Sequence, residues 1–147
     1  MNRVYRCYTE KRPGFDVEAR GLLNELRENL GVTALEGFLL FNRYDVQGIE
    51  EKDYRAARTT IFSEPQCDDC FDEKLPEISG TYNILCVEAL PGQYDQRADS
   101  ASQCLQLLSP NEERPKVACA KIYAIEGNVV VGPDGKLYSY LRWKVGE

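Results

Sequence analysis

Apolar positions along the chain switch twice from a dense β-forming run to a helical spacing. Residues 4–9 (Val-Tyr-Arg-Cys-Tyr-Thr) are rich in β-formers and precede Pro13-Gly14. Ala19, Leu22, Leu23, Leu26 and Leu30 then recur at three- and four-residue steps, which predicts an amphipathic helix, with Gly31 as its C′ residue. "LEGFLLFNRYDV" (35–46) predicts a second strand. The same order returns after residue 81. "NILCVEA" predicts a strand, Pro91-Gly92 a turn, and Ala98, Ala101, Leu105 and Leu108 a helix whose stripe Cys104 widens. Pro110 stops that helix, and "KVACAKIYAI" (116–125) predicts the following strand.

The two stretches align. "VYRCYTEKRPGFDVEARGLLNEL" (4–26) matches "NILCVEALPGQYDQRADSASQCL" (83–105), with Gln93 as a one-residue insertion. Phe15-Asp16 falls on Tyr94-Asp95, Ala19 on Ala98 and Leu26 on Leu105. A repeat this long is a whole strand-helix-strand unit rather than a solenoid turn. The pattern predicts an α+β fold: two fused strand-helix-strand repeats forming an antiparallel sheet with helices on one face, a ferredoxin-like pseudo-dimer. Residues 1–62 are read as the first repeat and 81–147 as the second. The acidic, Pro-containing "SEPQCDDCFDEKLPEISG" (63–80) is read as a linker. "IEEKDYRAARTTIF" (49–62) predicts a short helix running into an edge strand, and "GNVVVGPDGKLYSYLRWKV" (127–145) a hairpin turning at Pro133-Asp134-Gly135.

Composition narrows the chemistry. The chain has 147 residues and no histidine. That excludes Ser-His-Asp and Cys-His catalysis and every histidine-containing zinc site. A net charge of −6 speaks against a nucleic-acid partner or an anionic membrane surface. No apolar run is long enough for a transmembrane helix, and "MNRVYRCYTEKRPG" lacks a signal-peptide core, so a cytoplasmic protein is expected.

Two features stand out as candidate sites. Asp16 and Asp95 are placed to cap the two helices, because a short carboxylate can accept from first-turn amides. The outer face of the first helix carries long charged side chains: Glu18, Arg20, Glu25, Arg27 and Glu28. The second instead carries Gln96, Asp99, Ser100, Gln103 and Gln106, with Arg97 near its start. Lysine and glutamate are depleted at the cores of interfaces, so Arg97, Asp99 and Gln103 are read as a protein–protein interface. Cys67-Asp-Asp-Cys70 has metal or redox spacing but no second pair of that spacing to complete a zinc site. Its neighbours Asp68, Asp69 and Asp72 are expected to raise a thiolate's pKa, and the six cysteines are read mainly as structural free thiols. No Gly-rich phosphate loop is present.

"KRPGFDVEARGLLNELRENLG" followed by "FNRYDV" resembles the small subunit of bacterial phosphoribosylformylglycinamidine synthase. With "FSEP" and "LPGQYDQRADSASQC" added, residues 3–126 resemble the N-terminal domain of the large, single-chain form of that enzyme. That family makes formylglycinamidine ribonucleotide from formylglycinamide ribonucleotide, glutamine and ATP in purine biosynthesis. The resemblance implies a non-catalytic domain, similar to a small-subunit dimer, that bridges the synthetase and glutaminase domains. ATP and Mg²⁺ belong to the synthetase, and no cofactor is implied for this chain. The tail after residue 126 departs from the helix and linker expected there. Two other readings stand beside this one: a stand-alone module holding a small effector between the halves, and a cysteine-based redox or metal protein.

Overall fold

The computed structural model describes residues 3–29, 31, 35–76, 82–110, 113–127, 129–131 and 137–139. Its elements are β1 (Val4–Lys11), α1 (Val17–Asn24, continued by a π-helical turn at Glu25–Asn29), β2 (Leu35–Gln47), α2 (Glu51–Thr60) and β3 (Asp68–Asp72). They continue with β4 (Tyr82–Glu88), α3 (Gln96–Leu108), β5 (Lys116–Gly127), β6 (Val129–Val131) and β7 (Leu137–Ser139). The fold is α+β. Five strands form an open antiparallel sheet in the order β3-β1-β2-β5-β4, joined by three helices in a ferredoxin-like sheet-plus-helices arrangement. The strands of the first repeat, β1-β2, are mirrored in that order by β5-β4 of the second. The two Pro-Gly turns share a backbone conformation as well, Gly14 at φ +94° and Gly92 at φ +85°, where a side chain would be strained. β6 and β7 pair antiparallel as a separate ribbon, and the expected turn at Pro133-Asp134-Gly135 lies outside the described residues.

The chain forms two compact units, each drawing on both repeats. One gathers Met1–Phe15, Phe41–Pro76 and Cys86–Lys121. Its core lies on one face of the sheet, where register places Tyr5 opposite Val46 and Cys7 opposite Tyr44. Onto these side chains pack Tyr54, Ala57 and Phe62 from α2 and the turn after it, and Ala98, Ala101 and Leu105 from α3. Tyr5 stacks on Tyr54 with ring centroids 4.6 Å apart, and Tyr44 meets Phe62 at 4.8 Å. By strand alternation, Arg6, Tyr8, Phe41, Arg43 and Asp45 take the opposite face. Arg6 holds Asp45 in a bidentate pair (2.6 and 3.1 Å), and Arg43 reaches both Asp45 (3.5 Å) and Glu88 (3.3 Å). The other unit comprises Asp16–Leu40, Glu77–Leu85 and Ile122–Glu147. Its core joins Leu23 and Leu26 to Leu35, Phe38, Tyr123 and Ile125.

The segment expected as a linker contains a strand. β3 pairs antiparallel with β1 from Cys7↔Asp72 to Lys11↔Asp68. Aspartate is a poor strand former, and here neighbouring cations offset the charge. Lys11 Nζ lies 2.9 Å from Asp68, Arg12 Nε 3.1 Å from Asp69, and Arg58 Nε 3.0 Å from Asp72. Asp68 is buried, accepts from Glu64 N at 2.8 Å, and raises the pKa of Lys11 by its hydrogen bond. The edge strand expected at the end of 49–62 is therefore displaced to 68–72, because α2 runs on to Thr60 and Phe62 turns into the core.

Candidate functional site

Two side-chain clusters carry chemistry. The first surrounds the start of α3. The Pro91-Gly92 turn is closed by Gln93, whose amide donates to Leu90 O (2.9 Å) and whose Oε1 accepts from Leu90 N (2.7 Å). Asp95 follows in an extended conformation, and its Oδ1 accepts from Ala98 N at 3.1 Å. Asp99, one turn on, accepts from Gln103 Nε2 (3.1 Å), Tyr94 Oη (3.2 Å) and Arg114 (2.6 Å). The Arg114 Nε also donates to Ser102 Oγ at 2.9 Å, and the buried Ser102 hydroxyl donates to Pro115 O at 2.6 Å. Arg97 turns the other way and donates to the buried Tyr44 hydroxyl at 3.1 Å. Burial pushes that phenol's pKa up, and Arg97 opposes the shift. Asp99 and Gln103 thus share one network and Arg97 bonds Tyr44, so each of the three is engaged inside the chain. An open depression of ≈ 630 Å³ lies here, lined by Tyr94, Asp95, Gln96, Arg97, Ser100 and Lys121 among others.

Asp16 departs from the expectation. It occupies the N-cap position of α1 but makes no side-chain capping bond. At ψ 47° it lies outside the extended conformation that turns a carboxylate toward first-turn amides, and it pairs with Arg20 at 3.1 Å instead.

The second cluster lies where α2 covers β1 and β3. Tyr54 Oη donates to Asp72 Oδ1 at 2.8 Å and lies 3.1 Å from Arg6 O. Burial, and then the bond to Asp72, hold that phenol in its neutral form. The fully buried Cys7 belongs to the core cluster against which the half-buried Cys70 packs, and the two are diagonal on the β1–β3 ladder. Cys7 and then Arg58 bring the pKa of Cys70 down to about 6 against the opposing effects of burial and Asp72. Its Cys70 neighbour and then burial push the Cys7 thiol up. Asp72 raises the Cys70 pKa, as its charge predicts, but the larger effects of Cys7 and Arg58 bring it down, contrary to the expectation that the aspartates set it. Spacing drew notice to Cys67 and Cys70, whereas the contact is between Cys7 and Cys70, far apart in the chain. Among the described residues, no group of three or more Cys, Asp or Glu side chains is arranged to hold a metal ion, and no helix is long and apolar enough to cross a membrane.

No family model matches this chain, and no match was found among curated proteins or solved structures.

Proposed function

We propose that this chain is a non-catalytic docking domain of the cytoplasm, of the kind the resemblance to large phosphoribosylformylglycinamidine synthase implies. In that reading it bridges the synthetase and glutaminase domains. The observation that carries the proposal is the Asp99 network. A helix face with few long charges is held in place by Tyr94, Gln103 and Arg114 before any partner arrives. Ordering such groups in advance lowers the entropy cost of association. The mirrored strand order β1-β2-β5-β4 supports it further, since a fused small-subunit dimer requires two such halves.

The test is calorimetric titration of the chain into the synthetase–glutaminase remainder of such an enzyme. Saturable binding is expected, weakened by about 2–5 kcal/mol in Asp99→Ala if its pair with Arg114 is desolvated in the complex. A folded chain that fails to associate, or an Asp99→Ala variant that binds like the parent, overturns the proposal.

A further inference from the structure

The docking role leaves the thiol pair of β1 and β3 unused. Register sets Thr9 opposite Cys70 and Cys7 opposite Asp72, so Cys7 and Cys70 are diagonal neighbours on one sheet face. Cys70 packs against the core cluster that holds Cys7, and Cys7 and the Arg58 guanidinium of α2 lower its pKa. Arg58 Nε is buried and makes no hydrogen bond, although Asp72 Oδ1 lies 3.0 Å away. Tyr54 engages the same carboxylate oxygen of Asp72. The groups around Cys70 are thus Thr9 directly opposite and Cys7 diagonal on β1, Arg58 from α2 and Asp72 from its own strand. Burial divides the labour: Cys70 lies at the half-buried edge, whereas Cys7 is closed off from solvent.

We propose that Cys70 is a peroxide-reactive cysteine and that Cys7 resolves its oxidised form into an intrachain disulfide across β1 and β3. The Cys70 thiolate attacks one oxygen of hydrogen peroxide. An S–O bond forms, the O–O bond breaks, and the departing hydroxide takes a proton from solvent. The sulfur has lost two electrons and the peroxide has gained them, leaving a sulfenic acid. Cys7 sulfur then attacks Cys70 sulfur as its proton passes to the leaving hydroxyl. The S–S bond forms, the S–O bond breaks, and water departs. Two thiols and one peroxide become one disulfide and two waters.

A disulfide needs Cβ atoms about 3.5–4.5 Å apart, closer than a diagonal pair ordinarily stands. Closing it draws β3 along β1. Among the described residues this five-residue edge strand is paired on one side only, which leaves it room to shift. The resulting bond is strained and readily reduced, as labile regulatory disulfides are.

The reduced full-length chain is treated with hydrogen peroxide at pH 6, with and without dimedone, and each cysteine is followed by peptide mass spectrometry. At that pH a thiol of pKa about 6 is half ionised. An ordinary thiol is almost wholly protonated, and the lower nucleophilicity of the acidic thiolate offsets only part of the gain. Cys70 is therefore expected to react about tenfold faster than Cys104, and to end joined to Cys7. Cys7→Ser leaves Cys70 trapped by dimedone, and Cys70→Ser leaves Cys7 reduced. In the unmodified chain, the rate of thiol alkylation at Cys70 rises with pH about a midpoint near 6, a readout that needs no variant to fold. A Cys67–Cys70 bridge, equal rates at Cys70 and Cys104, or a midpoint in the ordinary thiol range overturns the proposal.

Discussion

α1 and α3 follow the same turn-aromatic-aspartate signature, yet they are anchored differently. α3 runs thirteen residues, buries Ala98, Ala101, Ser102 and Leu105, and starts on a carboxylate cap. α1 runs eight residues, buries only Ala19, and passes into a π-helical turn. The first turn closes with Phe15 N donating to Arg12 O at 2.9 Å. The second holds one more residue, Gln93, whose backbone and side chain both bond Leu90. That residue separates Gly92 from the aromatic, and Asp95 enters its helix at φ −116°, ψ 104°, the extended region an N-cap requires. A cap is first a backbone conformation and only then a side chain, so an aligned aspartate does not guarantee one.

The contrast can be broken by paired substitutions measured by urea unfolding of the full chain. Leu105→Ala removes a side chain only 1% exposed and is expected to cost about 2–5 kcal/mol. Leu23→Ala, at a partly buried position, is expected to cost clearly less; equal losses would show that α1 is as firmly anchored as α3. Ser102→Ala leaves Pro115 O and Arg114 Nε without their shared partner, at an expected cost of about 1–3 kcal/mol. Asp95→Ala is expected to cost about 0.5–2 kcal/mol, against roughly 0.5 kcal/mol or less for Asp16→Ala. The reverse order would refute the geometric account of the two caps. Arg114→Lys should change stability least, about 0–1 kcal/mol, because its pair with Asp99 is partly exposed. A larger loss would mean that the Asp99 network is scaffolding.

Strand and helix spacing, the Pro-Gly turns and the repeat make the order β1-α1-β2 and β4-α3-β5 readable from the sequence alone, and Asp95 stands out by its place ahead of the Ala98 stripe. Three features escaped. β3 looked like a linker because Asp68, Asp69 and Asp72 resist strand formation until Lys11, Arg12 and Arg58 arrive from other elements. Cys70 looked inert because local sequence shows its acidic neighbours and hides Cys7 and Arg58. The hydrogen bond from Arg97 of α3 to Tyr44 of β2 is the third. All three depend on contacts between distant segments, which no local pattern records.

The open sheet has two unlike margins. Among the described residues, β3 lines one with three carboxylates, while β4 lines the other with Ile84, about half exposed. A strand from another molecule meets charge at the first margin and an exposed apolar side chain at the second. In concentrated solution, aggregation should therefore begin at β4, and a lysine in place of Ile84 should delay its onset without touching either side-chain cluster.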